Sequence, residues 1–280
     1  MHENLIRQPS VAVITTVYND FEGLSKTAHS VLSQDFALTW IVVDADSGNE
    51  HRAFLNSVDP KIHKFEWVSE KDEGLYHGMN KGYEMSQADI ILFLNAGDTL
   101  ATSSTIQVIV DSYLTEKWHW AVGLAVRFDV NEKPVAVWEY LNPELGGLAL
   151  GTRTFCHQAT FYTKALLDRV MPYDQTNLAA DHLLNIKAFS ISNPKMLPLV
   201  TTFFANGGVS GKRSTSAAFK DLRRIRTELN LYFLKNRSID YIITKFIVLL
   251  LNAGGVIWNT NRRLSRKLVK EKKRVFPQED

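Results

Sequence analysis

Polar side chains that follow directly on apolar runs mark where this chain can do chemistry. Tyr18 and Asn19 follow the run 11–17, Asp44 to Ser47 follow 40–43, Ser69 to Asp72 follow 64–68, and Asn95 to Asp98 close the run 89–94. These clusters carry carboxylates, amides and hydroxyls, the groups that hold polar ligands and hard cations. Four such clusters are more than turn chemistry needs. Further along, Asp181 opens a stretch of helical spacing, where its simplest role is a helix N-cap. His157 and Gln158 stand in the stretch 154–163, which reads as a strand that can face a cleft.

Other chemistries lack their residues. No GxGxxG follows the first apolar run, and GxxxxGK[ST], HExxH, HxxEH and GxSxG are all absent. The dinucleotide-binding turn, the P-loop, the zinc hydrolases and the serine nucleophile elbow therefore have no support. Cys156 is the only cysteine, which excludes a disulfide framework and a Cys-based metal site and suits a reducing compartment. The first ten residues hold no apolar core of a secretory signal.

The elements that must position these clusters alternate in period. Val11–Val17, Trp40–Asp44, Lys64–Val68 and Asp89–Leu94 are predicted strands; 23–34, 50–58, 74–85 and 102–114 have helical spacing. Strand and helix in alternation imply crossover connections, hence a mostly parallel sheet covered on both faces. Ligands of such sheets sit beyond the carboxyl ends of the strands, where the clusters fall. From 118 to 211 the pattern is less regular, with strands expected at 118–128, 134–138 and 197–205, a helix at 181–189, and a loop at Gly207-Gly208. From about 216 it turns helical, with helices expected at 219–234 and 239–251 and a charged stretch at 265–274.

The 280 residues are 45% hydrophobic and 22% charged, enough apolar material for a sizeable core and too much for a disordered chain. The net charge of +2 hides an asymmetry: residues 1–211 carry 15 basic and 24 acidic side chains, residues 212–280 carry 17 and 6. A body at −9 repels phosphate backbones, so nucleic acid is excluded as the main ligand; a tail at +11 suits an anionic surface.

Seven sequence blocks taken in order resemble one family. VITTVYND (13–20), VVDADSGN (42–49), SEKDEGLYHGMNKG (69–82), LFLNAGDTL (92–100), FCHQATFY (155–162), AADHLL (179–184) and FFANGGVS (203–210) are similar to the blocks of GT-A glycosyltransferases. The likeness is to the large inverting family that includes bacterial exopolysaccharide and colanic-acid-type sugar transferases. It implies an α/β GT-A domain over 1–211, with a nucleotide-binding half at about 10–115 and an acceptor half at about 116–211, followed by a helical, basic C-terminal appendage at 212–280. It also implies transfer of a sugar from a UDP- or GDP-sugar to a hydroxyl of a glycan or lipid-linked acceptor in surface polysaccharide synthesis.

Residue by residue, the resemblance implies that Thr15, Tyr18, Asn19 and Asp44 line the base and ribose pocket. Asp72 and Lys81 then serve the nucleotide, Lys81 at the phosphates, and Asn95 the donor sugar or ribose. Asp98 binds Mg²⁺ or Mn²⁺, His157 and Gln158 lie on the acceptor or leaving-group side, and Asp181 is the general base. The chain departs from the common D-x-D spelling with Asn95-Ala96-Gly97-Asp98, which leaves one carboxylate for the cation. Several of these positions also have a plain structural role: Asp44 as a turn or cap, Asp72 as a solvated charge, Lys81 on a helix surface, Gly97 at positive φ closing a strand.

Two other readings stand beside the transferase. A sugar-phosphate nucleotidyltransferase would use nucleotide and metal, but it expects a Gly-rich basic loop where this chain has VYNDFEGL. A non-catalytic, membrane-associated nucleotide-sugar-binding module would tolerate the altered metal motif. The uncharged run 246–258 has 13 residues, short of the roughly 20 that span a bilayer. The tail is therefore expected to lie on the cytoplasmic face of the inner membrane as a peripheral attachment, or to pack against the body or a second copy of the chain.

Overall fold

The computed structural model describes residues 7–128, 133–138, 144–149, 151, 154–205 and 215–254. The chain runs β1 (Val11–Val17), α1 (Phe21–Leu32), β2 (Thr39–Asp44), α2 (Asn49–Ser57), β3 (Lys64–Ser69), α3 (Leu75–Met85), β4 (Ile90–Phe93), β5 (Thr99–Leu100) and α4 (Thr105–Glu116). It continues through β6 (Trp120–Phe128), β7 (Pro134–Trp138), α5 (Leu145–Ala149), β8 (Thr160–Thr163), α6 (Lys164–Val170), α7 (Ala180–Ile191), β9 (Lys195–Ala205), α8 (Thr215–Glu228) and α9 (Arg237–Gly254).

Every residue of β1 is buried, as a strand covered on both faces must be. Its alternate side chains feed two cores. Val11, Val13 and Val17 join Leu24, Val31, Trp40, Ile106 and Ile109 on the α1–α4 side. Ala12 and Ile14 join Met79, Phe93, Trp120, Tyr162 and Leu183 on the α3–α7 side. Two glycines let α3 approach β1 closely. A Cβ on Gly82 would stand 2.3 Å from Ile14, and one on Gly78 would stand 3.0 Å from Asp72 and 3.1 Å from Thr16.

The sheet order is β3-β2-β1-β4-β8-β6-β9-β5, with β7 on β6. The β3-β2-β1-β4 half is parallel, as expected, so the carboxyl ends of four strands share one edge. The second half joins the same sheet and makes it mixed: β8 is antiparallel to β4 and β6, while β6 and β9 are parallel. Because β8 runs against β4, the residues just before β8 lie beside the residues just after β4. That reversal brings 157–159 next to Asn95.

Some elements differ from expectation. The stretch 154–163 is no continuous strand; His157–Ala159 is a turn of 3₁₀ helix before β8. Helix 219–234 stops at Glu228, since Asn230 takes a left-handed φ of 54° and the Leu231 N–H returns to the Arg226 carbonyl at 2.8 Å. The short α5, α6 and β5 carry too few residues for a legible period. Gly207-Gly208, Trp258 and the stretch 265–274 lie outside the described residues.

The α8–α9 hairpin is locked by Arg226, which is 1% exposed and pairs with Asp240 at 2.6 Å. The same guanidinium donates to Thr244 at 2.6 Å and to the Ala149 carbonyl at 3.2 Å. Arg224–Asp174 and Lys187–Glu228 pairs tie α8 to the body. Tyr241, Ile242, Phe246 and Leu249 remain exposed on α9. Among the described residues no helix is long and apolar enough to cross a membrane.

Candidate active site

At the end of β1 the chain turns sharply: Tyr18 is exposed, Asn19 takes a φ of 50°, and Asp20 caps α1 by accepting from the Gly23 N–H at 2.9 Å. The Asn19 N–H donates to Ser47 Oγ at 2.8 Å, which joins this turn to the end of β2. Asp44 is fully buried, and its carboxylate accepts from the Ser47 N–H (3.2 Å) and from Ser69 Oγ (2.6 Å). Its plain role as a turn residue is thus realised: it ties together the ends of β2 and β3. Beside it, Asp46 (φ 60°) pairs with Arg52, which also donates to Ser69 Oγ at 3.1 Å. Arg52 was not among the residues singled out in the sequence, where it looks like an ordinary charge on a helix.

Of the two adjacent threonines the structure places Thr15 inside the core. It is fully buried and accepts from the Trp40 indole N–H at 3.0 Å, so it does not line the edge. Its neighbour Thr16 points to the opposite face, where its hydroxyl donates to Asn95 Oδ1 at 2.7 Å. The period of a strand decides this, since successive side chains alternate.

The α3 residues divide similarly. Asp72 Oδ1 accepts from the Gly74 N–H at 2.9 Å, ahead of the helix. Lys81 pairs with Glu70 at 2.6 Å, which holds the Glu70 carboxyl below its ordinary value. Asn80 clamps the backbone of Tyr173 with both ends of its amide, at 3.0 and 2.8 Å.

The 95–98 turn is built on α1. Gly97 has a φ of 91°, the Asp98 N–H returns to the Asn95 carbonyl at 3.0 Å, and Thr27 Oγ donates to the Asp98 carbonyl at 2.7 Å. Asp98 is buried to 8% exposure. The Asn95 amide is spent within the protein: beyond Thr16, its Nδ2 lies 3.2 Å from His157 Nε2. A hard cation at this turn would meet an Asn95 side chain already engaged with Thr16 and His157. No cluster of three acidic, His or Cys side chains exists among the described residues, so donor phosphates and water would have to complete its shell.

Asp181 lies in the first turn of α7, one residue inside the helix, and is not its cap; Ala179 holds the cap position. The helix N-terminus favours the charged carboxylate there. His157 Nδ1 stands 3.3 Å from Asp181 Oδ2, and the Tyr76 hydroxyl donates to Asp181 Oδ1 at 2.9 Å. Burial alone would raise this carboxyl. The hydrogen bond from His157, the charge of that ring when protonated, the Tyr76 hydroxyl and nearby His182 outweigh burial and hold it at about 2. Tyr76 is the second residue that sequence reasoning missed; its signal was its place in the 69–82 block, in the first turn of a helix following a strand end.

Gln158 turns elsewhere, its Oε1 accepting from Cys156 Sγ at 3.0 Å. His182 bonds the Leu148 carbonyl at 2.8 Å. The Cys156 thiol is pushed up by burial and then by the charges of Asp98 and Asp181, so both carboxylates act on one buried residue. Residues 95–98, 156–157 and 181, far apart in sequence, converge at one place.

The family model described as glycosyl transferase family 2 matches residues 12–164, more than half of the chain. The chain belongs to glycosyltransferase family 2. An uncharacterized glycosyltransferase of Mycobacterium tuberculosis is 29% identical over 225 residues, covering 78% of this chain and 83% of the relative. A PGL/p-HBAD biosynthesis glycosyltransferase of Mycobacterium bovis is 28% identical over 217 residues, covering 72% and 79%. Among solved structures, S. aureus TarS in complex with UDP-GlcNAc superposes with a TM-score of 0.63 at 16% identity, covering 93% of this chain and 79% of that one. The mannosyltransferase PcManGT of Pyrobaculum calidifontis, with GDP-Man and Mn²⁺, gives 0.57 at 14% identity, covering 96% and 81%. This family-2 glycosyltransferase thus has the GT-A fold expected from its sequence, with a mixed sheet.

Proposed function

We propose that this glycosyltransferase inverts the anomeric centre in one displacement, taking its sugar from a nucleoside diphosphate donor. The acceptor is a hydroxyl of a glycan or lipid-linked oligosaccharide. The run of contacts from Asn95, in the 95–98 turn, through His157 to Asp181 is the observation that carries the reading. The acceptor oxygen bonds to the anomeric carbon, the bond from that carbon to the diphosphate breaks with its electron pair leaving on phosphate, and Asp181 takes the hydroxyl proton. Its carboxylate is ionised at neutral pH, free of any proton to give up first. Exposed Tyr18 offers a ring for the base at the edge that Asn19 and Asp44 shape. A Mg²⁺ or Mn²⁺ held by Asp98 and the donor phosphates would neutralise the departing diphosphate. The UDP-GlcNAc and GDP-Man bound by the two structural neighbours support a UDP- or GDP-sugar as donor. Thermal stabilisation by a panel of UDP- and GDP-sugars, with and without Mn²⁺, tests the reading, followed by donor hydrolysis with the stabilising sugar. Stabilisation by one donor class and its slow hydrolysis are expected; no shift with any donor refutes it.

For the lipid-linked acceptor and the cytoplasmic membrane face, support comes from α9. Tyr241, Ile242, Phe246 and Leu249 are exposed beside Lys245, in a region of net charge +11. Such a face suits the interface of an anionic bilayer. The protein should co-sediment with anionic vesicles and lose much of that binding in high salt. Dimerisation in solution with no vesicle binding would assign this face to a second copy.

A further inference from the structure

The family resemblance puts His157 on the acceptor or leaving-group side, but its ring is 13% exposed and both nitrogens are engaged inside the protein. The contacts fix the direction of each hydrogen bond. Thr16 donates to Asn95 Oδ1, which turns the Asn95 NH₂ toward His157 Nε2. Nε2 is then the acceptor, so the ring proton sits on Nδ1, facing Asp181 Oδ2 at 3.3 Å. The other carboxylate oxygen receives the Tyr76 hydroxyl. Two donors, one from the turn before β8 and one from α3, thus hold both oxygens of a side chain that keeps 22% of its surface exposed.

We propose that His157 is a positioning residue: it locks the Asp181 carboxylate in one rotation and couples it, through Asn95, to the turn that carries Asp98. Only the lone pairs not taken by His157 and Tyr76 are then left for the acceptor hydroxyl, which meets the base in one geometry. Misplacement by about 1 Å can cost on the order of 10²-fold in rate, which is the scale such a lock protects. The strand reversal at β4–β8 makes the coupling achievable, since it sets the His157 turn against Asn95. This inference rests on Asp181 being the base.

Asparagine and leucine have nearly the same shape, and only asparagine can donate from the position of Nδ1. His157→Asn and His157→Leu therefore share any defect from losing the ring and differ in one hydrogen bond to a charged group. The expected result is a kcat roughly 10- to 100-fold lower for His157→Leu than for His157→Asn, with the acceptor KM similar in both. In an Asp181→Asn background the two should be equally slow, because no base remains to be positioned. Equal kcat for the two variants when Asp181 itself is intact overturns the proposal. So does a raised acceptor KM at unchanged kcat, which would restore the acceptor-contact role. If Asp181→Asn alone leaves transfer intact, it is the base assignment that falls, whatever the His157 variants do.

Discussion

Replacing Asp181 by Asn swaps the carboxylate for a neutral group of the same size and so stands in for the protonated acid. Two effects follow from one substitution. For chemistry, removing a general base should lower kcat by about 10² to 10⁴, with donor affinity nearly unchanged because the base takes its proton from the acceptor. For stability, the carboxyl moves from an ordinary 3.8 to about 2 in the folded protein. Each unit is worth about 1.4 kcal/mol, so the charged form contributes on the order of 2 kcal/mol. A depressed carboxyl contributes fully above its unfolded value and loses that contribution as pH falls through its folded value. The variant should therefore be less stable than the parent by that amount at pH 7, with the gap closing between pH 4 and 2. Single-turnover transfer with saturating donor, calorimetric donor titration and urea unfolding at pH 7 and pH 3 give the three readouts. A variant that transfers normally at saturation would remove Asp181 from the chemistry. A stability gap that is the same at both pH values would show that its hydrogen bonds do not favour the charged form.

Other perturbations separate residues that look alike in sequence. Asp98→Asn should abolish most metal-stimulated turnover and leave the unfolding temperature near that of the parent; unchanged turnover with the same metal dependence would remove Asp98 as the ligand. Thr15→Val should destabilise by about 1–3 kcal/mol, since it strands the buried Trp40 N–H, yet leave transfer intact. Thr16→Val should do the reverse, slowing transfer at little cost in urea midpoint because its hydroxyl orients Asn95. Asp240→Ala should cost roughly 3–5 kcal/mol by leaving Arg226 buried without its carboxylate, read as early unfolding of the α8–α9 hairpin in hydrogen exchange.

Apart from the two-residue β5, the order of strands and helices through residue 116 was legible because each apolar run has its own period and each turn its own breaker. Asp20 before α1, Gly74 before α3 and Gly97 after β4 stand where a cap or a positive φ is needed. The blocks that carry the family resemblance lie at those same turns. Beyond residue 116 the signal weakened, since α5, α6 and the turn at 157–159 are each shorter than two helical turns and show no periodicity.

Sequence alone determined the α/β fold class, because period and turn chemistry are local properties of the chain, and its seven ordered blocks pointed to glycosyl transfer by their resemblance to a family. It also named Asp98 and Asp181, each as a single carboxylate at the start or end of an element. What each polar side chain touches was decided only by tertiary structure. Spacing cannot tell Thr15 from Thr16 until β1 is sandwiched and one face turns to Trp40 and the other to Asn95. Nor can it say that Asn95 is spent on Thr16 and His157, that Lys81 is paired with Glu70, or that Tyr76 reaches Asp181 across 105 residues. Those contacts depend on β8 running antiparallel to β4 and on how closely α3 lies against the sheet, and both follow from the packing of segments distant in sequence.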